Sequence, residues 1–111
     1  MLPDDRIRIL HMIEAAEAVA RFTVGRARGD LDADQMLLFA LVRGIEIIGE
    51  AASKVSLQTR DASPSVPWAQ IAAMRNRLIH AYFEIDRDIL WKTATQEVPV
   101  LLTDIRALAV R

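Results

Sequence analysis

The chain has 111 residues, no cysteine, and 14 Lys and Arg against 15 Asp and Glu, for a formal net charge of −1. That length suits one domain, the missing cysteine excludes disulfide frameworks, zinc ribbons and thiol catalysis and favours a reducing, cytoplasmic compartment, and the balanced charge excludes a bulk nucleic-acid footprint. No run approaches the roughly 18 apolar residues of a membrane span, and "MLPDDRIRIL" places charges where a signal peptide needs an apolar stretch, so the chain reads as complete and soluble.

With 52% apolar residues, 5% aromatics and few glycines or prolines, residues 1–111 read as a single all-α domain with four main helical segments. The first is predicted over Asp4 to Arg26, where Ile9, Ile13, Ala16, Ala20 and Val24 recur at helical steps, and Gly25 and Gly29 mark its end. The second starts with Asp32 as N-cap and Gln35 three residues on, and runs to about Ser56. It carries two apolar rows. Leu38, Leu41, Ile45, Ile48, Ala52 and Val55 face the core, while Leu37, Ala40, Gly44, Ile47 and Ala51 are expected to meet another chain. A polar row of Arg43, Glu46, Glu50 and Lys54 forms a ladder on the remaining face, and its Glu46–Glu50 pair needs a nearby cation, from the ladder or from another helix.

Residues 56–68, "SLQTRDASPSVPW", read as the one extended loop. Pro67 suits the first turn of a third helix of about four turns, ended by "EID". Asp86 then caps a fourth, Arg87 to about Val110, with a kink expected at Pro99.

The third helix carries the chemistry. Trp68, Ile71, Met74, Leu78 and Ala81 give core spacing, but "MRNRLIHAY" adds two arginines, an asparagine, a histidine and a tyrosine. At about 100° per residue Arg75 and Tyr82 fall nearly in line, whereas His80, with Asn76 one turn before it, lies roughly 140° away. The polar groups then flank a strip containing Ile79, as walls flank a shallow cleft that a symmetry-related copy would close. Arginine offers a fork matched to phosphate oxygens, and histidine exchanges a proton near neutral pH. Together they suit cleavage of RNA by its own 2′-hydroxyl without a metal ion. Asn76 could orient His80 or the substrate, and Tyr82 could stack on a base or bond a phosphate.

"RNRLIHAY" resembles the Arg-x4-His-x-Tyr signature of the HepT-like toxins, a branch of the HEPN superfamily. "DDRIRILHMIEAAE", "ALVRGIEIIGEAASKVS", "VPWAQIAAMRNRLIHAYFEID" and "DILWKT" are similar to blocks of that family in the same order. The resemblance implies an all-α HEPN bundle, homodimeric, with the motif lining a cleft between subunits. It implies a metal-independent endoribonuclease toxin of a type VII-like HepT/MntA toxin–antitoxin pair, acting on RNA and needing no cofactor. The usual antitoxin is an MntA-type nucleotidyltransferase encoded alongside, which adds AMP to the motif tyrosine. Carried over by position, Arg75 and His80 match the catalytic pair, Asn76 the polar residue after the arginine, and Tyr82 the AMPylated tyrosine. AMP on Tyr82 would place negative charge beside Arg75 and compete with RNA phosphate for it.

Other polar residues have plainer readings. His11 lacks companion ligands at metal-binding spacing and reads as a packing or surface histidine. Arg43, Glu46 and Glu50 read as a structural ladder with a second possible role, holding Arg75 or Arg77 in place. Arg77 reads as a rim cation, and Trp68 and Trp91 as core anchors. A reading of a different class is a non-catalytic HEPN module that docks a nucleotidyltransferase or a nucleotide.

Overall fold

The computed structural model describes residues 1–81 and 84–110, with backbone alone at positions 80 and 81. It is an all-α bundle. In chain order the elements are α1 (Pro3–Thr23), α2 (Asp30–Ala33), α3 (Gln35–Lys54), α4 (Leu57–Ala62), α5 (Trp68–Ala72), α6 (Met74–Leu78), β1 (Ile79–Ala81), β2 (Glu84–Ile85), α7 (Arg87–Lys92), a π segment (Thr93–Glu97) and α8 (Val98–Ala109). The α1 and α3 helices pack along one another, α8 lies against α1, and α5 and α6 lie against α3. Ile9, Leu41, Ile45, Ile48, Leu78, Leu90 and Ile105 have no exposed surface at the centre. Each such side chain stabilises the fold by about 1.5–3 kcal/mol relative to exposure.

The first helix is shorter than its periodicity suggests. It begins at Pro3, whose missing N–H costs nothing in a first turn, and ends at Thr23, before Gly25 at φ +71°. Its buried stripe is Asp5, Ile9, Met12, Ala16 and Val19, while Val24 lies beyond the end and is exposed. The second helix starts later than expected. Asp32 falls inside the separate turn α2, and the N-cap is Asp34, whose carboxylate accepts from Leu37 N–H at 3.1 Å. Arg26 holds that arrangement by donating to Asp30 at 3.3 Å and Asp34 at 2.7 Å.

The second apolar row of α3 is covered only in part inside the protomer, with Ala40 and Ile47 half-buried along a trough between α1 and α3. Leu37, Gly44 and Ala51, expected to face another chain, are buried, and a Cβ at Gly44 would stand 2.5 Å from Val19 Cγ2. The small Gly44 lets α1 lie close enough to cover that part of the row. What α3 presents outward instead includes Met36 and Phe39, 83% and 56% exposed.

The stretch expected to be an extended loop holds a helix. Ser56 caps α4 by accepting from Thr59 N–H at 3.3 Å. It also donates to the buried Asp5 carboxylate, through its N–H at 2.8 Å and its hydroxyl at 2.6 Å, and Thr59 Oγ1 adds a third bond at 2.6 Å. Burial raises the Asp5 pKa, but these hydrogen bonds outweigh it and hold the carboxyl below its ordinary value.

The third helix departs most from its expected form. It breaks at Ala73 into α5 and α6 and ends at Leu78, and Ile79 pairs with Ile85 in a two-stranded antiparallel ribbon. β-Branched isoleucines at both paired positions favour extended backbone, and Asp86 N–H donates to Leu78 O at 2.7 Å across the ribbon's base. Asp86 does cap the fourth segment, accepting from Ile89 N–H at 3.0 Å. That segment continues to Ala109 through the π segment, where Val98 N–H bonds Thr93 O. Pro99, one residue on, has no N–H and would crowd the Thr95 carbonyl in a regular α-helix, so the wider turn precedes it.

Candidate active site

Five residues of α6 carry two kinds of side chain. Met74 and Leu78 point inward and are buried, whereas Arg75, Asn76 and Arg77 are exposed. Two helical steps separate the arginines by about 200°, so they leave on opposite sides. Arg75 Nε donates to Glu46 Oε2 of α3 at 3.0 Å. Arg77 Nη1 donates to Glu97 Oε1 of the π segment at 3.0 Å.

The helical angles expected for the motif hold only as far as Leu78. His80 has its backbone in β1, not on a helix, so the expected 140° offset from Arg75 does not describe its place. Tyr82 lies outside the described residues. Asn76 stands beside Arg75 at the surface; its N–H donates to Ala73 O at 3.0 Å, and no hydrogen bond ties its side chain among the described residues.

The polar ladder of α3 divides. Glu46 meets Arg75, which supplies from another helix the cation that the Glu46–Glu50 repulsion calls for. Arg43 instead lines a shallow trough between α1 and α3 with His11, Glu14 and Arg21, and Glu50 lies near Arg8 and Lys54 at the trough's other end. Neither Arg43 nor Glu50 bonds Arg75 or Arg77 among the described residues. His11 is exposed on the trough wall.

On the far side of α6, Arg77 edges a groove of about 280 Å³ floored by Ile71, Met74 and Leu101. Burial raises the pKa of its partner Glu97, but hydrogen bonds from Thr93 and Arg77 hold the carboxyl below its ordinary value. Trp68 is buried and donates Nε1–H to Ser63 O at 3.1 Å; Trp91 is partly buried against the core. Both are anchors of packing.

The chemistry available follows from which nitrogen is used. A guanidinium has five N–H donors in a planar fork. With Nε committed to Glu46, Arg75 keeps its Nη1/Nη2 edge, and among the described residues nothing bonds that edge. An edge of that shape matches two oxygens of a phosphate. Glu46 is the better covered member, its side chain 24% exposed against 48% for Arg75, so the carboxylate is the fixed end and the guanidinium the presented one.

Comparison with known proteins gives the family of the chain. The family model described as "Ribonuclease HepT-like" matches residues 12–108. The chain is 40% identical over 88 residues to the "Probable ribonuclease HepT" of Thermococcus cleftensis, covering 79% of this chain and 80% of that protein. It is 33% identical over 102 residues to the "Putative RNase MJ1380" of Methanocaldococcus jannaschii, covering 92% and 94% of the two. With the "Putative RNase TTE0752" of Caldanaerobacter subterraneus the identity is 35% over 98 residues, 88% of each chain. No solved structure matches the chain.

Proposed function

This chain belongs to the HepT-like ribonuclease family of the HEPN superfamily, and from that membership we propose that it is the metal-independent endoribonuclease toxin of a toxin–antitoxin pair. The observation that carries the reading is Arg75: seated on Glu46 through Nε, it presents beside Asn76, five residues before His80, an edge that no described residue bonds. In the proposed reaction the Arg75 fork binds the scissile phosphate, and a His80 imidazole takes the proton of the adjoining ribose 2′-hydroxyl. The 2′-oxygen bonds to phosphorus, the bond from phosphorus to the 5′-oxygen breaks, and a second imidazole returns a proton to that leaving oxygen. Arg75 stabilises the charge gathered on the phosphorane oxygens.

A second His80 imidazole requires a second copy, since the chain's other histidine, His11, lies on the trough between α1 and α3. Met36 and Phe39 expose apolar surface on the outward part of α3, the helix that also carries Glu46. A twofold-related copy covering it would bring two Arg75 sites to one cleft. An MntA-type nucleotidyltransferase partner would then silence the cleft by adding AMP to Tyr82, whose phosphate would compete for the Arg75 edge. No helix among the described residues is long and apolar enough to cross a membrane.

The test compares wild type with His80→Ala on RNA in excess EDTA. Cleavage by wild type alone supports the reading, and equal cleavage, or none by either, removes it. After coexpression with the nucleotidyltransferase, intact-mass measurement should show AMP increments on wild type and none on Tyr82→Phe; equal increments on both would move the modification elsewhere.

A further inference from the structure

Gly49 lies three residues beyond Glu46 on α3 and faces the junction of α5 and α6. A Cβ at position 49 would stand 3.3 Å from Ile71 O and 3.4 Å from Ala72 O. Both contacts are with backbone, which cannot swing aside as a side-chain tip can, so a Cβ here would push the junction back from α3 by a few tenths of an ångström. The junction is also the start of the site: α5 ends at Ala72, α6 begins at Met74, and Arg75 follows. The depth at which the chain settles on Gly49 therefore sets how far along α3 Arg75 emerges. It emerges 3.0 Å from the carboxylate one turn before that glycine.

We propose that Gly49 and Glu46 form a two-part seat for Arg75, Gly49 fixing the depth of the helix that carries it and Glu46 fixing the plane of its guanidinium. Both are positioning residues, since neither reaches the phosphate. Arg75 has several rotatable bonds, and an unseated guanidinium would sample many orientations before meeting two phosphate oxygens at once. Tying Nε to a carboxylate that is itself mostly covered leaves one edge presented in one plane, the preorganisation that phosphate binding needs. The glycine at position 44 makes a useful contrast. Its close neighbour is the Val19 side chain of α1, remote from α6, so it serves packing and not the seat.

The inference rests on the ribonuclease reading only for the role of Arg75, and its test has an arm independent of activity. The Arg75 Nε–H resonance, identified by its loss in Arg75→Lys, is followed by NMR in wild type, Glu46→Ala, Glu46→Gln and Gly49→Ala. The seat predicts an ordered, slowly exchanging Nε–H in wild type, mobile in Glu46→Ala, intermediate in Glu46→Gln, and weakened in Gly49→Ala. A resonance indifferent to both Glu46→Ala and Gly49→Ala overturns it. In single-turnover RNA cleavage, Glu46→Ala and Gly49→Ala should each slow the reaction about 10-fold. Added guanidinium ion should restore cleavage to Arg75→Ala but not to Arg75→Ala/Glu46→Ala, because the added cation needs the carboxylate as its seat. Equal rescue in the two backgrounds also overturns the seat. A wild type that cleaves nothing while its Nε–H responds as described removes the ribonuclease reading and leaves the seat standing.

Discussion

Arg75 and Arg77 stand two residues apart on one short helix, each about half exposed and each 3.0 Å from a glutamate. By exposure and ion pairing they are twins. They differ in the nitrogen engaged and in the partner's host. Among the described residues Arg75 engages Nε, on a carboxylate of the long regular helix α3, and Arg77 engages Nη1, on a carboxylate of the π segment. An ion pair therefore does not mark an arginine as structural or functional. Arg77 keeps an Nε/Nη2 edge that can also take two oxygens, so what separates the two is the side of α6 on which the edge stands, toward α3 for Arg75 and toward the π segment for Arg77.

The largest effect expected from this contrast is on RNA cleavage. Arg75→Ala should lower the single-turnover rate about 10²–10³-fold, the usual cost of losing a transition-state donor, whereas Arg77→Ala should stay within about 3-fold. Equal losses would erase the distinction. Packing is separated from seating by Gly44→Ala, whose Cβ meets Val19 Cγ2 at 2.5 Å. Urea denaturation should show a loss of about 1–3 kcal/mol while the Arg75 Nε–H signal is unchanged.

Asp5 sharpens the comparison from the side of burial. Unlike either half-exposed pair, its carboxylate is covered and accepts three hydrogen bonds, so Asp5→Asn should cost about 1–3 kcal/mol at neutral pH. Its folded pKa is depressed. The stability it contributes is complete above the unfolded value of about 3.9 and is lost as pH falls through the lower folded value. Below about pH 4 the urea midpoint of wild type should therefore fall more steeply with pH than that of Asp5→Asn. The smallest effect belongs to Glu97→Gln, which breaks a partly exposed pair and should cost no more than about 1 kcal/mol.

Much of the bundle is visible in residue order because helical periodicity and capping are local. The core-facing stripe of α3 and the Asp86 cap follow from neighbours three or four residues apart. Failures occur where a distant partner decides. Nothing within residues 56–62 announces Asp5, 51 residues away, whose carboxylate organises the α4 cap. The apolar spacing of Trp68, Ile71, Met74 and Leu78 survives the break at Ala73, which hides it from a periodicity argument.

The site shows the same division. Residue types and spacing, with the family resemblance, nominate Arg75, His80 and Tyr82, because the chemistry they suit belongs to the groups themselves. Which of Arg43, Glu46 and Glu50 would meet Arg75 depended on how α6 lies across α3. That orientation brings the Ile71 and Ala72 carbonyls close over Gly49 and Arg75 to Glu46, approaches that exist only once the helices have packed.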